Sequence, residues 1–184
     1  PAGDDSVCLP RSVNVVDIDL CLVDDEEPGG EEGSAALTAA DISGMKGVTP
    51  IVAVTCYDYP MARLLDQATI DLVIVDDTLG ATVYGHEDLL LVTLDDMIRH
   101  CRAVSCAVER PLLVADLPFM TFECSVSRAV ESAGLLVAKG RARAVKLRGT
   151  FADASTVRRL VQLGIPVVAH LAPPRPLDRR PGGV

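Results

Sequence analysis

The feature that most constrains the fold is a pattern that the chain repeats five times from Pro50 onward. Each repeat has a short run of apolar, often branched residues, a polar turn, and a segment with apolar residues three and four positions apart. The run is typical of a buried strand and the segment of an amphipathic helix, so the repeat predicts βα units and a parallel sheet. The five predicted strands are 51–55, 72–75, 112–115, 144–147 and 167–169.

Start and stop signals between the strands support this interpretation. Pro60 suits the first position of a helix. Thr93 and Asp96 have the spacing of a capping box, and Gly164 suits the residue just after a helix end. The apolar face predicted for the helix at Pro60 consists of Met61, Leu64, Leu65 and Ala68.

Size and composition bound the class of protein. With 184 residues and 49% hydrophobic content, the chain can bury the core of one compact domain. No run approaches the roughly 18 apolar residues of a membrane span, which predicts a soluble protein.

The six cysteines form no C-x-x-C pair, so reduced thiols are expected, and both the cytosol and the mitochondrial matrix remain open. His86 and His100 have no metal-ligand spacing and are expected on the helix surface or in solvent.

Charge divides the chain into segments. Residues 1–35 hold ten acidic residues against the single Arg11, whereas residues 36–184 hold sixteen of each sign, so the net charge of −9 lies in this extension. Such a segment repels nucleic acid and anionic lipid and serves either solvation or a basic partner surface. It is predicted to contain one strand and a linker at 24–34, followed by a partial βα barrel at 36–172 and a Pro-rich basic tail at 173–184. The apolar alternation behind that strand is Val13, Val15, Ile18, Leu20 and Leu22.

Polar residues follow the predicted strands. In parallel sheets the carboxyl ends of the strands meet at one edge, where loops and helix N-termini converge on ligands. An Asp at such a place is often only a helix cap and a Lys is often solvated, so convergence at one edge is what favours a functional role. The candidate residues are Asp58, Asp76, Asp77, Thr78, Asp116, Lys146, Arg148 and His170.

Five motifs resemble ketopantoate hydroxymethyltransferase. They are TCYDY at 55–59, VDDTLG at 75–80, VADLPF at 114–119, VKLR at 145–148 and IPVVAH at 165–170, and they occur in the family's order. The resemblance implies a (β/α)8 barrel that transfers a hydroxymethyl group from methylenetetrahydrofolate to 3-methyl-2-oxobutanoate. It also implies Mg²⁺, which binds hard oxygen ligands and stabilises the enolate of a 2-oxo acid.

Residue roles follow from the resemblance alone. Asp77 and Asp116 would hold the metal and with it the substrate. Thr78 and Lys146 would bind the substrate, and His170 would line the same pocket.

The chain departs from the family pattern at four points. Asp76 replaces a Gly, Thr78 replaces a Ser, and Arg148 replaces an acidic residue two positions after Lys146. The sequence stops before the last three strands of a barrel and before the loop that supplies the family's catalytic glutamate. Its two open sheet edges need cover from the leader strand, from another copy or from another subunit, and the open barrel predicts a homo- or hetero-oligomer. No catalytic base is identified.

Arg148 suggests a further hypothesis. Residues 146 and 148 lie on one face of a strand, so the guanidinium is expected to point toward Asp77 and Asp116. By bridging both carboxylates it would make the metal unnecessary.

Three functions follow from these observations. The first is a hydroxymethyltransferase that is degenerate or incomplete as this chain. The alternative is an inactive structural or interaction subunit of a larger assembly, which would tolerate Arg148 and the missing base. A 2-oxo acid lyase of the phosphoenolpyruvate and isocitrate lyase type shares the barrel but fits the motif series less well.

Overall fold

The parallel sheet predicted from the repeat is present. The computed structural model describes residues 18–21, 35–149 and 154–171. Five strands lie parallel and in chain order, which confirms the five predicted strands. They are β2 (Ala53–Thr55), β3 (Leu72–Val75), β4 (Leu112–Asp116), β5 (Ala144–Gly149) and β6 (Val167–Leu171).

A sixth strand, β1 (Ile18–Cys21), pairs antiparallel with β6 at the other edge from β2. It falls within the alternating segment where one strand was predicted. The remaining residues of that alternation, the linker 24–34 and the tail 173–184 lie outside the described residues.

Helices follow the strands as the repeat requires. Thr93 and Asp96 form the predicted capping box at the start of α4, and Gly164 has a φ of +76° just beyond the end of α6. None of the helices in the described part of the chain is long and apolar enough to cross a membrane. The helices are α1 (Ala39–Gly44), α2 (Tyr59–Asp66), α3 (Leu79–Thr82), α4 (Leu94–Ser105), α5 (Val126–Ala138) and α6 (Ala154–Gln162), with a 3-10 turn at Leu89–Leu91.

The outer face of the sheet carries the main core. Every second residue of the strands points to this face and packs against α2, α4, α5 and α6. Met97 of α4, Leu136 of α5 and Leu160 of α6 are fully buried against this face. The strand residues are Val73, Val75, Leu113, Ala115, Val145 and Leu147.

The inner face changes character along the strands. At their amino ends, Leu72, Leu112 and Ala144 bury Ile42 of α1. Side chains two positions apart lie on the same face of a strand. At the carboxyl ends of the strands, the residues that continue this alternation on the inner face are charged. The helix α1 therefore covers the amino end of this face, and the polar site lies at the carboxyl end.

The apolar face predicted for α2 is wrong. Met61 and Leu64 are 49% and 63% exposed, whereas Ala62 is buried and Leu65 is partly buried. The helix follows the edge strand β2 and packs against α4, and Met61 and Leu64 lie on its exposed side.

Candidate functional site

Three carboxylates meet at the carboxyl edge of the sheet. Asp76 and Asp77 follow β3 directly, and Asp116 is the last residue of β4. One oxygen of each carboxylate lies within 4.8 Å of the others. Asp77 and Asp116 are each only 1% exposed, so this concentration of negative charge lies in the interior.

Lys146 of β5 provides the neighbouring positive charge. The strand register sets it beside Asp116. Its Nζ lies 2.6 Å from Oδ2 of Asp76 and 2.9 Å from Oδ2 of Asp116. The ammonium therefore bridges two of the three carboxylates, and its side chain is 11% exposed.

Burial and charge set the protonation of this cluster. Burial raises the pKa of Asp116 to about 7, and the charges of Asp76 and Asp77 add to the rise while Lys146 opposes it. Burial works to lower the pKa of Lys146, but the two carboxylates outweigh it and leave that pKa above its ordinary value. Burial also works to raise the pKa of Asp76, but Lys146 outweighs it and brings that pKa well below the usual range. Lys146 is thus an ammonium at neutral pH and cannot serve as a general base.

The donor set fits a divalent cation. Among the described residues, no hydrogen-bond donor reaches Oδ1 of the buried Asp116. An ionised, buried carboxylate oxygen needs a partner, and carboxylate oxygens are the ligands that Mg²⁺ prefers. Asp77 and Asp116, the two residues predicted as metal ligands, lie together in this cluster with Lys146.

Thr78 lies beside the cluster and is held on two sides. Its backbone N–H donates to Oδ1 of Asp76 at 3.1 Å. Its hydroxyl lies 2.6 Å from the phenol oxygen of Tyr57, in the loop after β2. The contact with Tyr57 was not predicted, because the sequence places Tyr57 only in a loop and gives no sign of its partner.

His100 lies on α4, where a helix-surface position was predicted, and it is partly buried. Its ring is half-buried, with Nδ1 2.5 Å from the carbonyl oxygen of Tyr57 and Nε2 2.9 Å from the hydroxyl of Tyr84. His100 on α4 therefore joins the loops that follow β2 and α3. His86 is half-buried as well, and its Nδ1 has no hydrogen-bond partner among the described residues.

Arg148, which was hypothesised to bridge Asp77 and Asp116, is not the residue opposite Asp116. That residue is Lys146, and Arg148 lies two positions further along β5, about 7 Å away. In the part of the chain that the structure describes, Nε of Arg148 is buried without a hydrogen-bond partner, and the bridge stays a prediction. His170 of β6 pairs in register with Arg148 and lies outside the carboxylate cluster.

Asp58 belongs to none of these contacts. It caps α2, with its Oδ1 accepting a hydrogen bond from the backbone N–H of Met61 at 2.8 Å. The side chain is exposed. It therefore has the structural role that an Asp at a strand end often has.

Fold and site together define a βα-barrel type of protein with an acidic, cation-suited centre at the carboxyl ends of its strands. The family model described as ketopantoate hydroxymethyltransferase matches residues 36–174. The chain belongs to the ketopantoate hydroxymethyltransferase family.

Relatives support this assignment. A 3-methyl-2-oxobutanoate hydroxymethyltransferase from Aeropyrum pernix is 53% identical over 135 residues, covering 73% of this chain and 49% of that protein. Those from Oleidesulfovibrio alaskensis and Nitratidesulfovibrio vulgaris are 48% and 44% identical over 136 and 144 residues. These alignments cover 74% and 78% of this chain and 47% of each relative. The chain therefore spans about half the length of the curated relatives it matches.

A solved structure supports the fold alone. The trigonal crystal form of 2,3-dimethylmalate lyase, a member of the PEP mutase/isocitrate lyase superfamily, matches with a TM-score of 0.53 at 18% identity. The match covers 71% of this chain and 49% of that chain. The barrel type is shared with that superfamily, whereas the sequence family is that of the hydroxymethyltransferases.

Proposed function

We propose that this chain supplies the metal- and 2-oxo acid-binding half of a hydroxymethyltransferase. The reaction is transfer of a hydroxymethyl group from methylenetetrahydrofolate to 3-methyl-2-oxobutanoate, which gives ketopantoate. The observation that carries the proposal is the convergence of Asp77, Asp116 and Lys146 at one buried strand edge. The family and its relatives at 44–53% identity support the same reaction.

Each residue has a role that fits its environment. Asp77 and Asp116 would hold Mg²⁺, which when bound would stabilise the enolate charge of the 2-oxo acid. Lys146, fixed as an ammonium, attracts the substrate carboxylate. The hydroxyl of Thr78, oriented by Tyr57, donates to a substrate oxygen. His170 lines the pocket from β6.

The exposed edge supports association with another polypeptide. Strand β2 pairs only with β3 among the described strands, and Ala53 and Thr55 are exposed on it. Beside it, α2 exposes Met61 and Leu64. A parallel strand and a helix of another polypeptide chain cover this edge, whereas β1 already pairs with β6 at the other edge.

The buried thiols support a reducing compartment. Cys56 and Cys101 are free and almost fully buried. We assign the chain to the cytosol or the mitochondrial matrix, where thiols stay reduced. Accumulation of the tagged full-length gene product in an oxidising compartment would contradict this assignment.

Complementation tests the proposed function. The purified chain is mixed with the half of the Aeropyrum pernix relative that it does not match, and ketopantoate formation is measured with Mg²⁺ while the mass in solution is recorded. The proposal expects turnover in an associated species and its loss in Asp116→Asn. A stable, folded complex of the two halves without turnover would overturn it.

A further inference from the structure

We propose that Asp76 is a third carboxylate ligand of the divalent cation, beside Asp77 and Asp116. The inference rests on the proposed function, because it concerns the same cation. It assigns a role to a residue that the family pattern, with a Gly at this position, does not use.

The strand geometry brings Asp76 into the cluster. Leu72 and Ile74 face the inner side of β3, and Asp76 continues this parity one step beyond the strand. The Thr78 backbone N–H holds its Oδ1, which fixes the direction of the carboxylate. The group is therefore preorganised toward Asp77 and Asp116, with one oxygen of each within 4.8 Å.

The positive charge of Lys146 does not match the two carboxylates that it contacts. Lys146 offers one ammonium, at 2.6 Å from Asp76 and 2.9 Å from Asp116. Two carboxylates in the interior need more positive charge than one ammonium provides. Independently, Oδ1 of the buried Asp116 meets no hydrogen-bond donor among the described residues, so it is available to a metal ion.

Position 148 cannot supply the third ligand. A guanidinium has only donors and cannot coordinate a cation. Arg148 also lies two positions beyond Lys146 on β5. The third acidic oxygen thus comes from Asp76, directly after β3, instead of from β5.

If Asp76 only anchored Lys146, its replacement would change the hydration of the bound metal ion differently. An anchor affects cation binding only through the lysine, whereas a ligand fills one coordination position of the ion itself. The number of water molecules on the bound metal separates the two roles, because a lost protein ligand is replaced by water.

The experiment measures metal binding without substrate. Mn²⁺ is titrated into the wild type, Asp76→Asn and the matched control Asp58→Asn, with free Mn²⁺ followed by electron paramagnetic resonance. Asp58→Asn removes one negative charge at the same sheet edge and keeps the helix cap, since Asn caps as well as Asp. Tb³⁺ luminescence decay in H₂O and D₂O then counts the inner-sphere waters in wild type and Asp76→Ala.

We expect Asp76→Asn to weaken Mn²⁺ binding roughly tenfold or more, Asp58→Asn by less than about threefold, and Asp76→Ala to gain about one inner-sphere water. If the wild type binds Mn²⁺ and Asp76→Asn matches Asp58→Asn, or if the water count stays constant, Asp76 is not a ligand while the proposed function stands. If the wild type itself binds no Mn²⁺, both are overturned.

Discussion

Replacing Lys146 by Met tests the electrostatic account of the site. The substitution keeps an unbranched chain and removes the ammonium that lies 2.6 Å from Asp76 and 2.9 Å from Asp116. At an effective dielectric constant of about 20, each contact represents about 6 kcal/mol of gross Coulomb attraction, most of which offsets the desolvation of the charges. Breaking a buried pair on one side costs about 3–5 kcal/mol. Because Asp116 is 1% exposed, we expect a loss of that size in the free energy of unfolding.

The loss should depend on pH. Without Lys146, the already raised pKa of Asp116 rises further, so the folded variant binds a proton near neutral pH that the unfolded chain does not bind. A group protonated only in the folded state lowers stability as pH increases. The destabilisation by Lys146→Met is therefore larger at pH 8 than at pH 6.

Urea unfolding followed by circular dichroism at both pH values gives the two free energies. Lys139→Met is the control, because Lys139 is exposed and its replacement should change stability by less than about 0.5 kcal/mol. A loss below about 1 kcal/mol for Lys146→Met, or a loss independent of pH, would refute the reasoning.

Three further predictions concern the remainder of the described structure. His100→Ala removes the two hydrogen bonds that join α4 to the loops after β2 and α3, and should lower the free energy of unfolding by about 1–3 kcal/mol in urea titrations; an unchanged midpoint would contradict those bonds. Leu136→Ala should cost about 2–5 kcal/mol because Leu136 is fully buried, whereas Leu64→Ala on exposed α2 should cost far less; equal losses would place α2 in the core. Cys101, whose pKa is raised to about 12 by burial and then by the charge of Asp116, should resist a short iodoacetamide pulse that labels exposed Cys106. Peptide mass spectrometry measures both, and equal labelling would show that Cys101 is accessible.

The parallel sheet was predictable because its signal is local. Runs of branched apolar residues and capping motifs specify strands and helix starts within a few positions, as Thr93 and Asp96 do for α4. The apolar face of α2 was not predictable in the same way. Its periodicity gives two apolar sides, Met61 with Leu64 and Ala62 with Leu65, and the neighbouring elements decide which is buried.

The candidate site was predictable only where strand order is enough. Asp77, Asp116 and Lys146 lie in or directly after the carboxyl-terminal parts of three adjacent strands, so parallel order alone brings them together. The register between β4 and β5 decides which positively charged side chain lies opposite Asp116. In this register that side chain is Lys146 and not Arg148. A sequence contains no direct signal of register between non-adjacent segments.

The partners of His100 were hidden for a similar reason. Its bonds to Tyr57 and Tyr84 join residues 43 and 16 positions apart, and each partner lies in a loop. A sequence pattern can suggest that a half-buried histidine needs hydrogen bonds, but the loop path that supplies them is a tertiary property.

Metal-dependent binding of 3-methyl-2-oxobutanoate tests the central claim most directly. Isothermal titration of the wild type and Asp116→Asn, each with Mg²⁺ and with a chelator, compares the four affinities. The account predicts binding by the wild type with Mg²⁺ and at least about tenfold weaker binding in the other three cases. Equal affinity with Mg²⁺ and with chelator, or an unchanged affinity in Asp116→Asn, would contradict the assignment of this edge as a metal and 2-oxo acid site.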